Sequence, residues 1–454
     1  MSCFKAYDIR GRVGIDLDEA IVRRIGRAFA DVIRPRTVVV GRDCRESSPA
    51  LAAALIAGLR DGGTDVIDLG LAGTEEVYFA TSHFAADGGL EVTASHNPID
   101  YNGIKLVGQG SRPIAPEELL QVRAIAEADD FRATNQGSLR QDNPRAAYAR
   151  KIADFADAKA LRPLTLLVNA GNGVAGPAFD AVVAELERRG AMLRIIRINH
   201  TPDGRFPNGI PNPMLVENQP MTGDAVLASG ADLGIAWDGD FDRCFLFDET
   251  GRMVEGEYIV GLLAAAFLAD APESGRGSRI VHDPRIVLNT RAVIAAHGGE
   301  AVASKTGHVL IKQTMRAHDA VYGGEMSAHH YFRDFMYCDS GMIPWLKVIA
   351  LMSATGQPLS ALIGTMRAQY PSSGERNFTV RDAEAIMSVV LETYGPQARV
   401  DRLDGLSFEF DDWRMNLRTS NTEPLLRLNI ESRGDAALVA ARVAEIEAII
   451  RLNS

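Results

Sequence analysis

The chain has 454 residues, a net charge of −11, and hydrophobic and charged shares of 46% and 24%. That balance excludes disordered, collagen-like and coiled-coil chains, and the length allows several cores without disulfides or structural metals. Net acidity argues against a nucleic-acid partner and requires any anionic ligand to be drawn in by a local cluster of Arg and Lys. Cys3, Cys44, Cys244 and Cys338 form no CxxC pair, which fits reduced thiols in the cytosol. The longest uncharged apolar run, 259–269, is far short of the roughly 20 residues that span a bilayer. The N-terminal MSCFKAYDIRGRVG carries charge at once and has no apolar signal core. A cytoplasmic protein with no membrane contact is expected.

In chain order, TVVV at 37–40 reads as a buried strand, followed by the polar turn GRDCRESS. A helix over 49–60 ends at Gly62-Gly63, and a strand follows at 66–69. A second copy runs from a strand at 164–168 through NAGNGVAG and a helix to 189, then a strand at 192–198. The third has strands at 279–281 and 300–303 around a helix that ends at 297. Strand, helix and strand with Gly at the helix end is a parallel βαβ unit, and three copies at domain-sized spacing predict three related α/β domains. Beyond them a helix at 380–394, strands at 406–410, 413–418 and 425–431, and a helix at 436–452 predict a smaller α+β domain. The expected domains are 1–143, 144–250, 251–365 and 366–454, with linkers at 134–144, near 248–251, and at 356–358 or 371–374.

Four motifs carry chemistry. TASHNP at 93–98 follows the apolar 90–92, so Ser95 leaves a strand beside His96 and a Pro that forbids helix. A capped turn with a structural His would look the same. A Ser-His-Asp hydrolase fits poorly, since no G-x-S-x-G elbow is present. Ten residues on, the Asn102-Gly103 turn predicts that Lys105 folds back toward Ser95. DGDFDR at 238–243 follows the apolar 233–237. In extended backbone Asp238, Asp240 and Asp242 share a side, and three carboxylates there point to Mg²⁺. An EF-hand would need Gly where Arg243 stands, whereas a phosphatase with a strand-end Asp nucleophile remains open. GEMSAH at 324–329 alternates Glu325, Ser327 and His329 with apolar residues, giving partners for sugar hydroxyls or simply a half-exposed strand. RTSNTEP at 418–424 reads as a phosphate cradle or as an ordinary polar turn. AYDIRG near the N-terminus is weaker still.

In order along the chain, AYDIRG, TASHNP, DGDFDR, GEMSAH and RTSNTEP resemble the α-D-phosphohexomutase superfamily, and within it the bacterial phosphomannomutase/phosphoglucomutase group. The resemblance spans essentially the whole chain. It implies three related α/β domains with mixed sheets and a C-terminal α+β domain around a central cleft. It makes Ser95 the phosphoserine, and Asp238, Asp240 and Asp242 the Mg²⁺ ligands, completed by a phosphoserine oxygen. Lys105 is implied as general acid/base, with His96 and Arg10 assisting and Arg243 orienting. Glu325, Ser327 and His329 match the sugar loop. Arg418, Ser420, Asn421 and Thr422, with Arg427, match the phosphate loop, and Tyr7, Arg285 and His308 are expected to line the cleft. The implied reaction interconverts hexose 1-phosphate and 6-phosphate through a hexose 1,6-bisphosphate, in a monomer or homodimer. A phosphoglucosamine mutase, a Mg-dependent sugar-phosphate phosphatase and a non-enzymatic sugar-phosphate sensor are the competing readings.

Overall fold

The structure is a computed structural model that describes residues 1–131, 134–270, 277–419 and 425–453. The chain divides into two units, 1–253 with 334–356, and 254–333 with 357–454.

In the first unit, strands β1 (Ile9–Arg12), β2 (Thr37–Arg42), β3 (Asp65–Leu71), β4 (Gly88–Val92), β5 (Tyr101–Gly108) and β6 (Leu139–Gln141) form one sheet in the order β1-β5-β4-β2-β3-β6. The continuous valines of β2 are explained by burial on both faces. Val38 and Val40 pack with Val22, Phe29 and Leu55 from the helices Glu19–Ile33 and Ser48–Asp61. Val39 points the other way, into Ile67, Val77 and Ala80. The polar 134–144, expected to be a linker, supplies β6, which pairs in parallel with β3.

A second sheet has the order β10-β9-β7-β8, from β7 (Leu164–Asn169), β8 (Leu193–Ile198), β9 (Leu233–Trp237) and β10 (Cys244–Phe247). Phe179, from the helix Ala175–Arg188, packs against Trp237 and against Trp345 of the helix Met342–Thr355.

In the second unit, β11 (Arg279–His282), β12 (Glu300–Ala303), β13 (Tyr322–Gly324) and β14 (His330–Phe332) neighbour one another as β12-β11-β13-β14. A further sheet is antiparallel throughout, ordered Ser372–Thr379, Leu425–Ser432, Trp413–Thr419, Leu406–Glu409 and Arg399–Asp401. Its core joins Phe408, Met415 and Leu428 to Ile386 and Val390 of Ala383–Tyr394 and Ile446 of Ala436–Leu452. The first of those helices starts at 383 because the Asp382 carboxylate accepts from the Ala385 N–H at 2.9 Å. Among the described residues no single helix is long and apolar enough to cross a membrane.

The three α/β sheets share one design. Each contains a run of three parallel strands, β3-β2-β4, β8-β7-β9 or β12-β11-β13, extended by parallel β6 in the first sheet and followed on the other side by an antiparallel strand, β5, β10 or β14. The segments between the last parallel strand and its antiparallel neighbour hold Ser95, the three aspartates, and Glu325 to His329 respectively. Three of the four motifs occupy one and the same place in a repeated topology.

Candidate active site

The reversal from β4 to β5 is made at residues 93–100, not at Asn102-Gly103. Those two lie inside β5, where the Asn102 amide is buried against Ser47 and Ser48 and a Cβ on Gly103 would lie 2.2 Å from the Ile9 carbonyl. Ser95 stands at the turn with φ of 49°, an uncommon backbone for a serine, and is 4% exposed. Its hydroxyl donates to Asp238 Oδ2 at 2.5 Å and lies 3.0 Å from His96 Nδ1. Arg45, in the polar turn GRDCRESS, holds this loop. It is buried, and its guanidinium donates to the carbonyls of Ser95, Asn97, Pro98 and Tyr101 at 2.6–3.1 Å.

The aspartates sit in a turn between β9 and β10, and they converge by that turn and not by strand alternation. Phe241 has φ of 48°, and its ring fits only because residue 73 is Gly, where a Cβ would lie 2.0 Å away. Likewise a Cβ on Gly239 would lie 2.5 Å from the Ser95 carbonyl, so the two loops meet backbone to backbone. Asp238, Asp240 and Asp242 are buried and offer carboxylate oxygens within 4.8 Å of one another. Arg243 donates twice to Asp238 Oδ2, at 3.0 and 2.8 Å, and also contacts His96. Lys105 Nζ donates to Asp240 Oδ2 at 2.7 Å and to Asp242 Oδ2. Arg10 bridges Asp8 at 2.8 Å and Asn97 at 2.5 Å, beside the serine turn, and Tyr7 lies half-buried before β1.

A further residue meets the cluster. Thr74, fully buried at the start of the helix Thr74–His83, donates its hydroxyl to Asp240 Oδ2 at 2.6 Å and its N–H to the Asp240 carbonyl at 3.2 Å. Asp240 Oδ2 is thus fully used, while its buried Oδ1 has no hydrogen-bond partner. An all-oxygen set with an unmet carboxylate oxygen fits a hard divalent cation such as Mg²⁺. Burial raises Asp238 above the usual carboxylate range, against the pull of Arg243. Burial lowers Lys105, but Asp240 and Asp242 outweigh it and hold the ammonium above the usual lysine value. Burial, with the charges of Arg243 and Arg10, pushes His96 well below the usual imidazole range.

In the second unit Glu325, Ser327 and His329 lie in the hairpin turn from β13 to β14, so they share a tight turn in place of the expected strand face. Glu325 accepts from the Tyr331 hydroxyl at 2.6 Å and from the Gly307 N–H at 3.1 Å, and its own N–H reaches the His329 carbonyl at 2.9 Å. Ser327 Oγ lies 3.3 Å from His329 Nδ1. His308 opens the helix His308–His318, next to Gly307. Arg285 is buried between Asp283 at 2.6 Å and Glu325 at 3.7 Å, and Asp283 also accepts from the Met326 N–H. Against burial, Asp283 holds Arg285 above the usual arginine value. Arg418 is the next-to-last residue of its strand, and Glu375 accepts from it at 2.9 Å and from Arg427 at 3.1 Å. Ser420, Asn421 and Thr422 lie outside the described residues.

In the first unit a serine hydroxyl is set among buried carboxylates and two cations, an arrangement whose chemistry suits phosphoryl transfer. The models of the phosphoglucomutase/phosphomannomutase family match the chain in four consecutive parts: alpha/beta/alpha domain I at 1–133, domain II at 146–251, domain III at 255–370 and the C-terminal domain at 374–449. A phosphomannomutase of Salmonella montevideo is 55% identical over 98% of each chain. A protein of Xanthomonas campestris pv. campestris (strain B100) described as "Phosphohexose mutases" is 51% identical over 99% of each. Among solved structures, a phosphoglucomutase/phosphomannomutase family protein of Burkholderia thailandensis aligns with a TM-score of 0.88 at 31% identity, covering 100% of this chain and 97% of that one. The chain belongs to the phosphoglucomutase/phosphomannomutase family of the α-D-phosphohexomutase superfamily. It is an isomerase, moving a phosphoryl group between positions of a sugar phosphate.

Proposed function

We propose that this enzyme interconverts mannose 1-phosphate and mannose 6-phosphate in the cytoplasm, and that it accepts the glucose epimers as well. The relative from Salmonella supports mannose, and the name of the Xanthomonas protein supports a wider hexose range. The observation that carries the mechanism is Ser95 Oγ, 2.5 Å from Asp238 in a buried trio of carboxylates flanked by Lys105 and Arg243.

In this reading Ser95 carries a phosphoryl group. Its P–O bond to the serine breaks as a bond to the free sugar hydroxyl forms, and the hydroxyl proton ends on Ser95 Oγ. Lys105 exchanges that proton, with His96 and Arg10 beside it, and Arg243 orients Asp238. The product is a hexose 1,6-bisphosphate, which returns its other phosphoryl to Ser95 after turning. Asp238, Asp240 and Asp242, with a phosphoserine oxygen, would hold Mg²⁺, whose charge offsets that of the phosphate. Glu325, Ser327 and His329 hold the 3- and 4-hydroxyls, which mannose and glucose share. Arg418, Arg427 and Arg285 hold the phosphate that is not reacting, with Ser420, Asn421 and Thr422, and Tyr7 and His308 contact the sugar phosphate.

The test offers mannose, glucose and glucosamine 1-phosphates side by side, each with a trace of its 1,6-bisphosphate, followed by phosphorus NMR. The 6-phosphates of mannose and glucose should appear. Release of inorganic phosphate, or preference for glucosamine, would overturn the reading. Intact-mass analysis should show one added phosphoryl group in the peptide containing Ser95, and its presence elsewhere would remove Ser95 from the role.

A further inference from the structure

Arg418 and Arg427 face each other directly across the antiparallel pair Trp413–Thr419 and Leu425–Ser432. Like charges at directly opposed positions are destabilising, so this pair is tolerated only with an anion between them. Glu375 supplies it. It lies on the neighbouring strand Ser372–Thr379, opposite Asn429, and so on the same face as Arg427 two residues away. Both carboxylate oxygens are used, Oε2 by Arg418 at 2.9 Å and Oε1 by Arg427 at 3.1 Å, and Arg285 Nη1 stands 3.8 Å from Oε2. The site still lacks acceptors, for the Nε atoms of Arg418 and Arg285 are buried without a hydrogen-bond partner. A buried donor left unmade is costly, and with both oxygens of Glu375 taken and Asp283 engaged by another nitrogen of Arg285, these two Nε atoms stay unserved. A tetrahedral phosphate has the oxygens to serve them, and it competes for the same forks as a carboxylate.

We infer that Glu375 is a stand-in for phosphate: it holds Arg418 and Arg427 in place for the non-reacting phosphate of the substrate and is displaced when that phosphate binds. The inference rests on the assignment of these arginines to phosphate made above. Displacement subtracts from affinity, which suits an intermediate whose two phosphates must take turns on one site. Glu375 is therefore a positioning residue that sets release as well as binding.

Calorimetric titration with inorganic phosphate, and then with mannose 6-phosphate, compares wild type, Glu375→Gln, Arg418→Ala and the double variant. Glu375→Gln keeps one acceptor for an arginine and loses the competing charge. It should bind both ligands about tenfold more tightly, on the order of 1.4 kcal/mol. Its KM for hexose 1-phosphate and its kcat should both fall, a joint change that loss of structure does not produce. The double variant should show no gain. Equal or weaker binding by Glu375→Gln overturns the inference, even where Arg418→Ala has lost affinity as expected. If Arg418→Ala binds as wild type does, the phosphate assignment itself fails. Should Glu375→Gln not fold, Glu375→Asp carries the same test, because its shortened carboxylate cannot span both arginines and should tighten phosphate by a smaller factor.

Discussion

The turn after β9 and the strand pair carrying Arg418 and Arg427 are opposites in charge and alike in construction. The first crowds three buried carboxylates, and Lys105 and Arg243 come from other positions to offset them. The second crowds arginines, and Glu375 offsets them from a neighbouring strand. Each is left with one kind of unmet group, an acceptor at Asp240 Oδ1 and donors at the Nε atoms of Arg418 and Arg285. A buried charge is tolerated only with partners, so the residue that completes a cluster is as much part of the site as those that name it. In the proposed reading the first cluster takes a cation and the second an anion.

The sharpest way to break this contrast is at Ser95, where the chemistry is assigned to the first cluster alone. Ser95→Ala should lower turnover at least a thousandfold, as loss of a nucleophile does, yet leave the calorimetric affinity for mannose 6-phosphate near wild type. Strongly reduced affinity would move the binding role into the serine loop. Arg418→Ala should do the reverse. A charge-assisted bidentate pair contributes about 1.5–3 kcal/mol, so KM should rise by roughly one to two orders of magnitude, with smaller change in kcat. The variant should also leak 1,6-bisphosphate and depend on its addition. A kcat defect without a KM defect would place Arg418 in transfer, not holding.

A smaller effect is expected at Thr74, the clamp on Asp240. Thr74→Val removes the hydroxyl while keeping the shape, freeing Asp240 Oδ2 to swing from its place. Partners behind a metal ligand commonly contribute 10–100-fold in metal affinity, so Mg²⁺ or Mn²⁺ titration should show a loss of about tenfold or more. Thr74→Ser should restore it. Unchanged affinity in the Val variant would show that the hydrogen bond serves folding alone.

Much of this was legible in the chain and some was not, for physical reasons. Continuous valines at 37–40 and the βαβ punctuation announce the sheets, because burial on two faces leaves a compositional mark. The motif loops were visible because Asp, Ser and His crowd in them. Their geometry departs from strand alternation wherever a turn stands in place of a strand. Asp238 to Asp242 and Glu325 to His329 converge by reversal, with positive φ at Phe241 and Ala328, which non-glycine side chains do not advertise. Asn102-Gly103 has the signature of a hairpin turn, yet Gly103 is needed for a close approach to Ile9 within a strand. Arg45, Thr74 and Glu375 carry no local signal, since each acts on a residue distant in sequence. A GRDCRESS turn could have prompted the question of what a buried Arg at position 45 would bind.

The smallest expected effect concerns a carboxylate outside both clusters, and it separates the charges that serve a site from one that serves packing. Glu75, next to Thr74, is fully buried and accepts from the Gly341 N–H at 2.5 Å, the Met342 N–H at 3.3 Å and the Tyr148 hydroxyl. Burial pushes it up to about 8, although each of those hydrogen bonds pulls the other way. The folded protein therefore holds this proton where the unfolded chain, near the ordinary glutamate value of 4.5, has released it. Between those two values the folded state binds more protons, so stability falls as pH rises from about 4.5 toward 8 and levels off above. Glu75→Gln keeps an acceptor and cannot ionise. Its melting temperature should exceed that of wild type at pH 8.5 by a few degrees, at about 2–4 °C per kcal/mol for a unit of this size, with the advantage gone near pH 5. A constant offset across the whole range would mean that the amide merely packs differently, and a wild type that gains stability with pH in this window would show that the carboxylate is ionised in place.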